Sequence, residues 1–224
     1  MTTPSIRPYD PARDFEGGLD VYFKTVNSAL NYEPTCTIGS YLWYMPYVAL
    51  SPSTCLVLST DSPTSRVVGY IIGTSSTSSF VTRWRSEFVP TIDSAIVPPP
   101  NTPCSDPAMQ TDDVKNFRAA VYNADCSMLL PYPEVLAKYP AHVHIDILPE
   151  FQGKGYGRKL VEAWCEKVRE EGATGVHLDM VKDNVGGRKF YEKVGFGVCE
   201  QVLDGGESGE TGVNGIVLTM VKKL

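Results

Sequence analysis

Three of the five residues from Gly153 to Gly157 are glycine, in the stretch Gln152-Gly153-Lys154-Gly155-Tyr156-Gly157-Arg158. Glycines this close together let the backbone turn sharply and leave no side chains between its N–H groups and whatever lies in front of them. A helix is expected to follow, because Leu160, Val161, Trp164, Cys165 and Val168 fall on one face and Gly172 supplies a stop. A strand pattern precedes the loop and meets Pro149. Strand, glycine loop and helix together offer free N–H groups and the positive end of a helix dipole, which suit a phosphate or pyrophosphate. Lys154, Arg158 and Lys159 add positive charge at the same place.

A second polar set lies on the strands around this loop. Alternation puts His142, His144 and Asp146 on one face, and His177 and Asp179 on one face of the next strand. A metal is a poor match for the first set. At roughly 3.3 Å of rise per residue its outer members start about 13 Å apart, so all three cannot close on one ion, and two histidines plus an outside ligand is the metal reading left open. A Cys-His-Asp nucleophile system has no local support, and the six cysteines form no C-x-x-C pair, so they read as reduced thiols.

Spacing decides what the glycines are for. A P-loop needs Ser or Thr after its lysine, and Gly157 is followed by Arg158-Lys159. A dinucleotide fingerprint needs a third glycine where Arg158 or Leu160 stands. Gln152 to Gly157 instead resembles Q/R-x-x-G-x-G/A, the acetyl-coenzyme A signature of the GNAT superfamily of N-acetyltransferases. "ILP" precedes it at the superfamily's spacing, and "NVGGRKFYEKVGF" (Asn184 to Phe196) resembles the second motif, N-x-x-A-x-x-[FL]-Y-x-x-x-G-F. Gly187 departs from it, standing where alanine is usual. The stretches "GYIIGT", "FVTRW" and "HVHIDILPEFQGKGYGR" further resemble a subgroup related to the acetyltransferase-like domain of the nuclear O-GlcNAc hydrolase.

The resemblance implies an α/β fold, a mixed α+β sheet of the GNAT acyltransferase type with a helical insertion before the fourth core strand. It implies acetyl-CoA as cosubstrate, held by Gln152, Gly153, Lys154, Gly155, Tyr156, Gly157 and Arg158 at the pyrophosphate. Ile145, Ile147 and Leu148 offer the strand edge to the pantetheine amides, and Asn184 belongs to the same set. Tyr191 fills the motif's tyrosine and is nominated as general acid to the departing thiolate. Acetyl transfer to an amine also needs a base, since an alkyl ammonium has a pKa of about 10. Asp146 is the choice, acting directly or through water; the competing reading is a carboxylate that only hydrogen-bonds a histidine across the strands. The implied activity is N-acetylation of a primary amine, small molecule or peptide, and the rival is an inactive CoA-binding or peptide-binding module, since that subgroup has members thought to be inactive.

The elements that must position these residues can be read along the chain. Phe15, Leu19, Tyr22, Val26 and Leu30 predict a first helix, and "SYLWYMPYVAL", interrupted by Pro46, a short helix followed by a turn. "CLVLST" and "RVVGYIIG" predict an antiparallel hairpin across "DSPTS". From about 74 to 141 the chain is irregular and proline-rich, yet Phe80, Trp84 and Phe88, then Val114, Phe117 and Val121, predict two or three short helices in an insertion. The strand "GVHLDMV", a helix from about 184 to 194, and terminal strands "FGVCEQV" and "VNGIVLTMV" follow. All of it is expected to form one domain over residues 1–224. With 42% apolar and 21% charged residues and no membrane-length apolar run, neither disorder nor membrane residence is expected. A net charge of −6 disfavours nucleic acid as a partner, and the amino terminus shows no secretory pattern, so a cytoplasmic protein is expected, with the nucleus open. Oligomeric state is not legible.

Overall fold

The computed structural model describes residues 3–60, 65–124, 129–200 and 217–224. The β-branched runs Leu56–Ser59 (β2) and Val67–Thr74 (β3) form the expected antiparallel pair, and Ser5–Pro8 (β1) adds to β2. Ala141–Ile147 (β4) runs antiparallel to β3, with Tyr70 opposite Asp146. Gly175–Val181 (β5) lies parallel to β4, and Val217–Lys223 (β7) and Gly197–Val198 (β6) complete the sheet in the order β1-β2-β3-β4-β5-β7-β6. The parallel step is the one joined through the helix Tyr156–Glu170 (α7), as a parallel pair requires a crossover connection. The mixed α/β architecture expected from the sequence is therefore present.

One local feature of this sheet matters most. The register of β4 and β5 covers Ala141 with Val176 and His142 with His177, and beyond that point the strands part. Val143 to Ile147 thus keep one edge free on the β5 side.

Helix α7 buries Leu160, Val161, Trp164, Cys165 and Val168 against the sheet, the stripe read from the sequence. Burying side chains such as Leu160 stabilises by about 2 kcal/mol each. It ends where Gly172 takes φ +94°, a left-handed stop. The first helix, Phe15–Thr25 (α1), is shorter than its pattern. Val26 and Asn27 adopt extended backbone, and the Asn27 side chain accepts a hydrogen bond from Ala29 N, so Ser28–Leu30 forms a separate 3-10 turn. The helix before Pro46 ends at Trp43, and Pro46 opens a second helix where a turn was expected. It sits in the first turn of Met45–Leu50 (α3), after Thr35–Trp43 (α2), where a missing N–H costs nothing.

Among its described residues the insertion carries three short α-helices, Thr77–Arg83 (α4), Asp112–Tyr122 (α5) and Pro133–Lys138 (α6). Phe80, Trp84 and Phe88 are buried as their spacing predicts, although Trp84–Phe88 is a π-type turn. Trp84 Nε1 donates to Val121 O at 2.9 Å, tying α5 to α4, and Phe117 meets Trp43 edge-on at 4.9 Å. Buried Arg118 donates to the carbonyls of Pro98, Pro99 and Thr102, which fixes the proline-rich run on α5. Val185–Lys193 (α8) falls where expected. Of "FGVCEQV", Gly197 and Val198 pair with β7, and the connection "LDGGESGETG" lies outside the described residues. Among the described residues no helix is long and apolar enough to cross a membrane.

Candidate functional site

Because side chains alternate along a strand, β4 serves two cavities, one on each side of the gap beside β5. The larger, about 830 Å³, receives Ile145 and Ile147 and is closed by the glycine loop, the start of α7 and α8. The smaller, about 550 Å³, receives His144 and Asp146 and is walled by α1, α2 and α5.

The three glycines of the loop do two different jobs. Gly153 and Gly155 have φ +70° and +84°, and a Cβ on either would meet nothing within 4 Å, so backbone handedness and not crowding requires glycine there. Gly155 is also the residue that opens α7, so the loop's N–H groups and the helix dipole converge on the larger cavity. Gly157 is needed for close approach: a Cβ would stand 3.0 Å from the Phe190 ring of α8. Gly187, the departure from the second motif, lies over the cap of α8. Its N–H donates to Asn184 Oδ1 at 2.8 Å, and a Cβ would lie 2.7 Å from Asn184 Nδ2.

The other loop residues divide. Gln152 and Arg158 line the cavity with the glycines and Asn184. Gln152 Nε2 donates to Ile147 O at 2.7 Å and so braces the loop on the end of β4, while Arg158 reaches Glu162 at 2.7 Å. Lys154 folds back instead, donating to Glu150 O at 2.6 Å with its ammonium over the Phe151 ring. Tyr156 packs against the core, and Leu148 is buried at 1% exposure, so neither side chain reaches the cavity.

Tyr191 lines the larger cavity, and burial pushes its hydroxyl well above the ordinary tyrosine range, with the charge of Asp146 adding to the shift. The hydroxyl is therefore a proton-bearing donor at neutral pH. Asp146 faces the smaller cavity, and burial pushes its carboxyl up to about 6, opposed by hydrogen bonds from Tyr70 and Thr25. Tyr70 donates to Oδ2 at 2.6 Å from the neighbouring strand. The partner of this carboxylate is thus a tyrosine and not a histidine. His142 and His144 meet each other through Tyr47, whose hydroxyl lies 3.0 Å from Nε2 of each. His177 Nδ1 donates to the carbonyl of Tyr139 at 2.8 Å, and Asp179 accepts from Thr219 Oγ1 at 2.6 Å.

Sequence reasoning found the polar face of β4 and missed what holds it. Tyr70 was visible only as one member of an apolar run, and its opposition to Asp146 depends on the β3–β4 register. Tyr47, Thr25 and Phe117 come from α3, α1 and α5, and no motif announces them.

The sequence profile of the acetyltransferase (GNAT) family matches residues 126–196. The crystal structure of SsHAT is 31% identical, with 99% of this chain and 98% of that chain covered and a TM-score of 0.77. PaiA N-acetyltransferase from Thermoplasma acidophilum, solved in complex with coenzyme A, is 15% identical over 99% of both chains, with a TM-score of 0.55. YncA of Salmonella typhimurium, a protein solved with acetyl-CoA, is 17% identical over 100% of this chain and 95% of its own, with a TM-score of 0.52. With its sheet parting beside the glycine loop and SsHAT similar along nearly its whole length, this chain belongs to the GNAT acetyltransferase family.

Proposed function

We propose that this protein is an acetyl-CoA-dependent N-acetyltransferase that moves acetyl directly to a primary amine, within the subgroup related to the acetyltransferase-like domain of the nuclear O-GlcNAc hydrolase. The observation that carries the reading is the gap between β4 and β5, with a carboxyl raised to about 6 on one side and a protonated tyrosine on the other. Acetyl-CoA binds in the larger cavity, where the loop's N–H groups receive the pyrophosphate. Its pantetheine arm runs along the free edge of β4 at Ile145 to Leu148, and the thioester reaches the gap. Coenzyme A in the PaiA structure and acetyl-CoA in the YncA structure, both of the same fold, support that choice of cosubstrate.

In the transfer, Asp146 accepts a proton from the acceptor ammonium, directly or through water, which frees the nitrogen lone pair. The amine nitrogen bonds to the acetyl carbon and the C–S bond breaks. The thiolate takes its proton from the Tyr191 hydroxyl, the nitrogen releases its second proton to solvent as the amide forms, and the tyrosinate regains a proton from solvent. No bond to the enzyme forms. Tyr70 keeps Asp146 aimed into the cavity while leaving it basic enough to act near neutral pH.

Calorimetric titration with acetyl-CoA, joined to an amine screen that reads released thiol, tests this. Heat of binding and an acetylated amine are expected. No binding at millimolar acetyl-CoA sinks the cosubstrate, and binding without acetylation of any amine leaves a coenzyme A-binding module in place of the enzyme.

A further inference from the structure

The hydrogen bonds behind the smaller cavity run in one direction, and that direction determines what His144 shows to a ligand. Thr77 Oγ1 lies 2.7 Å from Pro140 O, an acceptor without a proton, so the threonine hydroxyl must donate there. At the 2.8 Å contact between Thr77 Oγ1 and His142 Nδ1 the proton must then come from the histidine. Neutral His142 is left with a lone pair on Nε2, which takes the single proton of the Tyr47 hydroxyl at 3.0 Å. Tyr47 can only accept from its other neighbour, so His144 carries its proton on Nε2. The Nδ1 of His144 therefore holds a lone pair. It has no hydrogen-bond partner among the described residues, is not enclosed, and belongs to a side chain lining the cavity beside Asp146. Burial keeps both histidines neutral, holding His142 well below the usual range and His144 at about 4.

The same cavity holds Asp146 and Asp179 and, among its described lining residues, no Lys or Arg. Its remaining wall is largely apolar, with Leu30, Leu42, Trp43 and Phe117. Its strongest charged groups are acceptors, and the imidazole that faces it is fixed as an acceptor too.

We propose that this cavity takes a primary ammonium carried on an apolar arm without a carboxylate, and that His144 Nδ1 accepts one of the ammonium's N–H bonds while Asp146 faces another. The proposal rests on the transferase reading in making this ligand the acetyl acceptor. A carboxylate on the arm would stand close to Asp146, with exposed Asp179 on the same wall and no cation among the described lining residues to meet it, which weakens binding by about tenfold or more.

The test uses the full chain and does not need turnover. Imidazole nitrogen NMR on the free protein reads the tautomer, and the chain's three histidines make assignment tractable. An unprotonated Nδ1 and a protonated Nε2 are expected at His144. Phenethylamine is expected to shift that Nδ1 and to bind about tenfold more tightly than phenylalanine, the same arm with a carboxylate added. Tyr47→Phe is expected to mix the His144 tautomers and weaken phenethylamine about fivefold, without changing acetyl-CoA affinity. A proton on Nδ1 in the free protein, equal binding of the two probes, or an Nδ1 signal that the amine does not move overturns the proposal. Phenethylamine binding at His144 without acetylation of any amine supports this recognition and counts against the transferase.

Discussion

The two cavities beside β4 are built from different materials. The loop end of the larger is main chain: two left-handed glycines, a helix start and a strand edge, all between Ile145 and Arg158, with α8 as its cover. The smaller is made of side chains from α1, α2, α3, α5 and three strands, brought together across more than a hundred residues. Backbone donors suit a ligand part that never changes, a pyrophosphate, because they offer the same geometry whatever side chains surround them. Side-chain walls suit the variable partner, because each can be replaced without altering the fold.

That contrast can be broken most decisively at the gap where the cavities meet. Tyr191→Phe keeps the ring packed beside Phe190 and removes the proton donor, so turnover is expected to fall by about 100-fold or more with acetyl-CoA affinity nearly unchanged. A loss of affinity equal to the loss of turnover would place Tyr191 in cofactor binding instead.

Asp146→Asn has two expected effects of opposite sense. Turnover at neutral pH falls by about 100-fold and partly recovers at higher pH, as more acceptor amine is neutral without help. Wild-type kcat/KM should decline as pH falls through about 6, where the carboxyl takes up its proton. Stability moves the other way. A carboxyl whose folded pKa is raised above its unfolded value costs stability increasingly as pH climbs from about 4 to about 6, and fully above that. Removing the charge should therefore raise stability by about 1–2 kcal/mol at pH 7 and leave it nearly unchanged at pH 4. Thermal melts at the two pH values check this, and an equal shift at both would dissociate the effect from ionisation.

Gly155→Ala tests the main-chain cavity. The new Cβ meets nothing, but φ +84° costs an L-residue about 1–2 kcal/mol, so acetyl-CoA affinity should fall about tenfold by calorimetry. Unchanged affinity would put the pyrophosphate elsewhere. Phe117→Ala sharpens the comparison from the other side. It removes one wall of the smaller cavity and its edge contact with Trp43, so acceptor KM should rise about threefold to tenfold while acetyl-CoA affinity stays put. A change in acetyl-CoA affinity here would mean that the two cavities are not separate.

What the sequence by itself determined is whatever depends on neighbours along the chain. The glycine loop, the buried stripe of α7, the extent and tyrosine of α8 and the alternation of His142, His144 and Asp146 were all legible, because periodicity and φ preferences are local. The end of α1 at Thr25 and the second helix around Pro46 were misread, because the capping side chain of Asn27 and the tolerance of proline in a first turn override a hydrophobic pattern. Only the tertiary structure decided that β4 and β5 part after His142, that Tyr70 lies opposite Asp146, and that Thr77, His142 and Tyr47 orient His144. Register and hydrogen-bond direction are set by packing between segments far apart in the chain, and no spacing within one segment encodes them.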